Sequence, residues 1–273
     1  MTYIAQWNER EKPTMNKLQI LGLYDQDQRI GLEYPDARRE IEPHVIRHIN
    51  TAEVGGGFIT YSQLNDLNAD DTIREQVNYF ESIGQNFEWK LYDYDQPSDL
   101  KERLLSHGFI IEETEAIMVL DLEAAPENLW QPILHNVQQI TDPKQLVDVQ
   151  SVEEQVWDED YSFVLNFLGY ALRNYPEQMS VYVAYINEQP VSAAWIYFPK
   201  HSQFASLWGG STVSTFRKHG LYTALLAIRA QEAKSRDVKF LTVDASPMSR
   251  PILEKIGFEM IAYSYPCKWK RKL

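Results

Sequence analysis

At 273 residues the chain exceeds the ~100–200 residues of a common domain, and its 44% hydrophobic and 24% charged residues suit a globular protein rather than a disordered or fibrous one. Its formal net charge of −13 repels phosphate backbones, which counts against nucleic acid as a partner, and no apolar run approaches the ~20 residues of a membrane helix. The single cysteine, Cys267, has no partner for an internal disulfide and no Cys or His at ligand spacing, so no metal is expected.

The opening stretch MTYIAQWNEREKP has neither an apolar core nor a small-residue cleavage site, so a cytoplasmic protein without membrane association is expected. Further on, VGGGFITYSQL places glycines in a strand, and Trp89 to Glu113 reads as strand, Asp, Pro, short leucine-bearing helix, Gly-Phe and strand. LEAAPENLWQP (122–132) breaks periodicity with two prolines and reads as a linker, dividing the chain into 1–125 and 126–273. After it come the strand LHNVQQI and the helix DPKQLVDVQSVEEQVW, with Asp142 as cap and Pro143 at its first position. YSFVLNFLGYALRNY follows as an amphipathic helix ended by Pro176. SVYVAYIN, QPVSAAWIYF and FASLWGGSTV are rich in β-branched and aromatic residues and read as strands, the first two joined by a hairpin turn at NEQP. From Gly220 onward Leu221, Ala224, Leu225, Ile228 and Ala233 fall at helical spacing. KFLTVDAS is then a buried strand, MSRPILEKI a short helix and GFEMIAYSYPCKW a final strand region. The sum is an α/β fold of the α+β kind, with a central mixed, twisted sheet flanked by helices.

Lys239 to Tyr263 repeats the order of features in Trp89 to Glu113, with one residue fewer between Pro and Gly, which points to an internal duplication. The terminal KWKRKL reads as a solvated end, His107 as a helix-end residue, Asp244 as a strand-end cap, and Trp195 and Trp208 as core.

Arg217-Lys218-His219-Gly220 is a basic turn in an acidic chain, set between a strand and a helix. Such a turn leaves backbone N–H groups unpaired at the positive end of the helix dipole, so it reads as a pyrophosphate cradle in which Gly220 permits close approach. It is neither a Walker A loop nor a GxGxxG fingerprint.

Residues ~130–265 resemble an acyl-CoA-dependent N-acetyltransferase of the GNAT superfamily, whose phosphate loop follows Arg/Gln-x-x-Gly-x-Gly/Ala before a helix. Arg217 and Gly220 match that pattern, Tyr222 stands where it has a small residue, and ILEKIGF (252–258) resembles the family's closing helix and Gly-Phe strand start. Residues 1–125 resemble only the back half of such a domain, and the acidic FITYSQLNDLNADDTIREQ after Gly57 holds no phosphate loop. The resemblance implies two GNAT-like domains, the first degenerate, with acetyl-CoA as cosubstrate and direct transfer to a primary amine of a small molecule or peptide. It also implies that Ser211, Thr212 and Val213 bind the acetyl and pantetheine groups through their backbone, and that Arg217, Lys218, His219, Gly220, Leu221, Tyr222 and Thr223 hold the pyrophosphate.

An amine with a pKa of ~10.4 must lose a proton before it attacks. Candidate bases are Glu153 and Glu154, the candidate catalytic residues are Glu154 and Ser249, and Asp158 and Asp160 follow as a group that attracts a cationic substrate. The family's tyrosine position falls on Leu253, which leaves Ser249, Tyr263 or water to serve the leaving thiolate. Two alternatives stay open: an inactive CoA-binding or protein-interaction module, and a transferase using another acyl group, an aminoacyl-tRNA being disfavoured by the chain's charge. A tandem chain supplies internally the neighbour that single domains find by dimerising, so a monomer is expected.

Overall fold

The computed structural model of the chain describes residues 15–50 and 56–271; the opening stretch MTYIAQWNEREKP lies outside them. The first half contains α1 (Lys17–Tyr24), a π-helical extension (Asp25–Ile30), β1 (Ala37–Ile41), β2 (Val45–Asn50), β3 (Gly57–Ser62), α2 (Ala69–Ser82), β4 (Phe87–Tyr92), α3 (Leu100–Ser106), β5 (Ile110–Ile111) and β6 (Glu115–Asp121). The second contains β7 (Asn136–Ile140), α4 (Leu146–Trp157), α5 (Phe163–Asn174), β8 (Met179–Ile186), β9 (Gln189–Tyr197), β10 (Phe204–Thr212), α6 (Leu221–Ser235), β11 (Phe240–Ala245), α7 (Arg250–Lys255) and β12 (Glu259–Trp269).

Local chemistry accounts for the second half's elements. Asp142 accepts from Lys144 N at 2.9 Å and starts the turn leading into α4. Asn187 and Glu188, at φ 50° and 65°, form the two-residue turn that closes β8 onto β9. The expected linker is not a free tether: Leu129, in a 3-10 turn at Glu127–Trp130, is buried, and Gln231 of α6 donates to Leu129 O at 2.8 Å. Nor is the C-terminus solvated throughout, since β12 runs to Trp269, whose ring is buried among Phe87 and its neighbours.

The strands form one mixed sheet in the order β1-β2-β3-β4-β12-β6-β11-β10-β9-β8-β7, with β5 beside β12. Its centre is a reciprocal exchange. β6, from the first half, pairs antiparallel with β11 of the second, while β12, from the second half, pairs antiparallel with β4 of the first. β6 and β12 also pair with each other, so each half's last strand completes the other's sheet across the expected boundary. The two halves correspond in their inner strands as well: β3 runs parallel to β4, and β10 parallel to β11.

The sheet is rolled. β3 and β9 are six interstrand steps apart, about 29 Å if flat, yet one ring, Tyr34, lies 5.1 Å from Phe58 of β3 and stacks at 5.6 Å on Tyr197 of β9. The rolled face is therefore a trough. Residues 17–36 lie in it, with Ile20 and Tyr24 packed on Tyr92, Ile117, Phe204 and Phe240. Gln28 bonds Ser202 at 2.8 Å on one wall, and buried Arg29 bonds Thr60 O at 3.1 Å and Asp95 at 2.8 Å on the other. On the outer face α6 and α7 cover the second half, and α2 and α3 the first. α4 and α5 cover β8 to β10 from the trough side.

Candidate functional site

β10 and β11 are paired only from Phe204↔Phe240 to Ser206↔Thr242, and beyond that they part. A parted parallel pair leaves backbone groups on its facing edges without the strand partner they have where the pairing holds. On its other edge β10 stays paired with β9 but slips register between Gly209 and Ser211. Gly209 and Gly210 take φ of 67° and 85°, a conformation that side-chain-bearing residues seldom adopt. A Cβ on Gly209 would also lie 2.6 Å from the Trp195 ring. Arg229 of α6, buried, donates to the carbonyls of Trp195 and Trp208 at 3.2 Å and ties the bulge to the helix; burial pulls its pKa down to about 10.

The bulge sets which backbone groups face the opening. Val213 N donates to Val191 O at 3.0 Å and Ser211 O accepts from Ser192 Oγ at 2.6 Å, so both point to β9. Thr212, between them, presents its backbone to the opposite edge, where its carbonyl accepts from Arg217 Nε at 3.1 Å. Of the three strand residues expected to offer backbone donors, Thr212 is the one that faces the opening, and the Val213 amide is already engaged by β9.

Beyond Thr212 a 3-10 turn (Ser214–Phe216) leads into the basic loop. Lys218 and Gly220 both have left-handed φ, 67° and 79°, which turns the chain sharply before α6. Ala224 N is the first amide of the helix to find a carbonyl, Gly220 O at 2.9 Å. The amides of Leu221, Tyr222 and Thr223 thus have no carbonyl partner among the described residues at the helix's positive end. His219 Nδ1 donates to Phe216 O at 3.2 Å, and His135, ahead of β7, donates through Nε2 to His219 O at 2.8 Å. His135 was not legible as a site residue, since it meets the loop only through the packing of the docked segment before β7. The Tyr222 ring turns away from the loop: it packs toward the bulge, with Cε2 3.2 Å from where a Gly210 Cβ would be.

The carboxylate that reaches this region is Glu153. Its side chain points from α4 to the bulge, where Oε2 accepts from Ser211 Oγ at 2.7 Å and from Trp157 Nε1 at 2.9 Å. The residue is 2% exposed, Oε1 has no hydrogen-bond partner among the described residues, and burial raises the carboxyl above its ordinary pKa. Glu154, one residue on and so about 100° around the helix, accepts instead from Gln150 at 2.6 Å. Asp158 ends α4 in a left-handed cap, and exposed Asp160 accepts from Ser162 N at 2.8 Å.

On the opposite side Leu253 is buried in the core between α6, α7 and the sheet. Ser249 opens α7 and shares a local turn with Ser246, its Oγ donating to Ser246 O at 3.2 Å. Tyr263 OH accepts from Arg250 at 2.7 Å. Two readings change: Trp208 is half exposed beside the bulge rather than in the core, and Asp244 pairs with Lys90 from the other half rather than capping its strand.

No family model matches the chain, and no curated protein matches it. Solved structures do. A GCN5-related N-acetyltransferase from Kribbella flavida is 13% identical with a TM-score of 0.65 over 85% of this chain and 89% of that one. A functionally unknown conserved protein from Staphylococcus epidermidis is 14% identical, with a TM-score of 0.66 over 88% and 96%. A tandem GNAT protein from the clavulanic acid biosynthesis pathway is 10% identical, with a TM-score of 0.55 over 87% and 84%. At such identities these are likenesses of fold, and the fold is that of the GNAT acetyltransferases, with matches spanning both halves.

Proposed function

We propose that this GNAT-fold protein transfers an acetyl group from acetyl-CoA directly to a primary amine of a small molecule or peptide. One observation carries the reading: the anion cradle at the α6 N-terminus adjoins the parted β10 and β11 edges, which lead on to a bulge overlooked by a buried carboxylate. A long cosubstrate with pyrophosphate at one end and a thioester at the other fits that succession of groups.

In this reading the amides from Lys218 to Thr223 hold the pyrophosphate, with the Lys218 and His219 side chains adding charge. Arg217 braces the loop against Thr212 and lends its cation. The Thr212 amide steadies the thioester arm, and Ser211 fixes Glu153. The amine nitrogen attacks the thioester carbonyl carbon, the C–N bond forms and the C–S bond breaks. Glu153 receives the amine's proton on Oε1, its partner-free oxygen, and the departing thiolate takes a proton from solvent or from a hydroxyl such as that of Ser249 or Tyr263. With Leu253 in the core, no phenol stands at the family's usual acid position. Glu154 serves α4 rather than the reaction. The divided chain acts as one unit, residues 1–125 and 126–273 contributing a degenerate and a working GNAT-like half. Because the strand exchange closes within one chain, the reading favours a monomer, working in the cytoplasm. Among the described residues, no helix is long and apolar enough to cross a membrane.

The test is a thiol-release assay with acetyl-CoA across a panel of primary amines. The expected result is one thiol released per amine acetylated. Binding of acetyl-CoA without turnover of any amine would instead favour the inactive CoA-binding reading, to which the core position of Leu253 lends weight.

A further inference from the structure

We infer that the trough beside the parted strands holds the second charged group of a diamine acceptor, on a site formed by Glu115, Asp244 and Lys90 with Thr242 at its inner edge. The inference rests on the transferase reading and names the class of amine it acts on.

The three charged residues come from three strands and both halves. Lys90 lies on β4, Glu115 opens β6 and Asp244 is near the end of β11, yet Lys90 Nζ pairs with Asp244 and lies 3.8 Å from Glu115 Oε2. Only the roll of the sheet brings β4 and β11 together across β12 and β6. Their place relative to the opening is fixed by register. Ser206↔Thr242 is the last pair between β10 and β11, and Asp244 is the next residue of β11 on the same face. The cluster thus borders the parted strands on the trough face, the face onto which Ser211 and Glu153 also look.

The group is recessed but reached by solvent, with Lys90, Asp244 and Glu115 side chains 21%, 23% and 31% exposed. It is short of positive charge. Glu88, on the same face of β4, adds a third carboxyl; Lys268 opposite it on β12 is itself engaged by Glu112 at 2.6 Å, and burial holds Glu88 above its ordinary range and Glu115 up at about 7. Those are carboxyls that a further cation would stabilise. Independently of charge, Thr242 Oγ1 is buried on this face, immediately before the strands part, without a hydrogen-bond partner among the described residues. It is an unused polar group at the inner edge of the charged cluster. Tyr34, stacked on Tyr197 and edge-on to Phe58, roofs the trough with aromatic surface suited to methylenes.

A diamine carries one nitrogen for each of the two places. Its reacting nitrogen is deprotonated beside Glu153, while the other stays an ammonium on Glu115 and Asp244 and fixes the register of attack. Lys90 keeps the two carboxylates together and leaves them one net charge to fill.

The experiment titrates putrescine and butylamine into the full chain by calorimetry, with and without CoA. Putrescine should bind saturably and butylamine about tenfold or more weakly. Glu115→Gln should weaken putrescine by a similar factor while CoA binding and the thermal midpoint hold. Lys90→Met, which removes the competing ammonium, should tighten putrescine. Putrescine no tighter than butylamine, or indifferent to Glu115→Gln, overturns the inference. If putrescine behaves as expected while acetyl-CoA fails to bind, the transferase reading falls and the cation site stands; if CoA binds without diamine discrimination, the cation site alone falls.

Discussion

Glu153 offers the sharpest separation of catalysis from architecture. Its Oε2 accepts two hydrogen bonds, from Ser211 Oγ and Trp157 Nε1, while Oε1 accepts none. In Glu153→Gln the amide oxygen can take the place of Oε2 and keep both bonds, and no charge is left in a buried setting. The amide NH2 then takes the buried Oε1 position, which has no partner among the described residues, so stability should fall by about 1–3 kcal/mol. Glu153→Leu strands both donors, and at about 1–3 kcal/mol for each buried unsatisfied group the loss should total roughly 2–6 kcal/mol. A base acting on the amine contributes about 10²–10⁴-fold, so Glu153→Gln should lose that factor in kcat while still binding acetyl-CoA. The acid limb of the kcat/KM profile, lying above the ordinary carboxylate range because burial raises Glu153, should vanish with it. Thermal denaturation and thiol release on the same three proteins give the answer. A Glu153→Gln protein that turns over normally refutes the role and leaves Glu153 as a clamp between α4 and β10.

The loop makes its own prediction. Gly220→Asp forces a side chain into φ 79°, within 3.3 Å of His135, and sets a carboxylate against the bound anion, so acetyl-CoA affinity should collapse; Lys218→Ala should cost much less because the amides remain. Calorimetry that finds the two equal and mild contradicts the cradle. The exchanged strands predict interdependence: a 126–273 fragment leaves β11 and β12 without β6, and should aggregate or stay unfolded by circular dichroism unless 1–125 is co-expressed. A well-folded monomeric fragment would contradict that. His48, buried under Tyr34 with Nε2 donating to Leu32 O at 3.1 Å, is held down to about 4 by burial. Between that value and its ordinary 6.5 the unfolded chain binds a proton that the folded chain refuses, so stability should fall as pH drops through this window. His48→Gln should flatten the dependence of the thermal midpoint on pH.

Much of the second half was legible because its signals are local: alternation in β8 to β10, the Asp142 cap, the positive-φ turn at Asn187 and Glu188, and Gly220 before α6. The choice between Glu153 and Glu154 was also written in the helix, since Leu146, Val149 and Glu153 share one stripe at helical spacing and Glu154 leaves it. Charge drew attention to both, whereas phase separates them. The docked segment at Leu129 looked like a linker because prolines interrupt its pattern, while one leucine suffices to anchor it. The strand exchange left no local trace: β6 and β12 would read identically whether paired within their own half or across. From that pairing and the roll of the sheet follow the meeting of Lys90, Glu115 and Asp244, which stand far apart in the chain and become neighbours only in the trough.

The central claim is that the α6 cradle and the parted strands receive acetyl-CoA. Isothermal titration of acetyl-CoA into the full chain, with desulfo-CoA and 3′-dephospho-CoA as companions, tests it most directly. Saturable one-to-one binding at submillimolar concentration, lost in Gly220→Asp, is the predicted result. No binding by the native chain, or equal binding by native and Gly220→Asp proteins, would contradict the account.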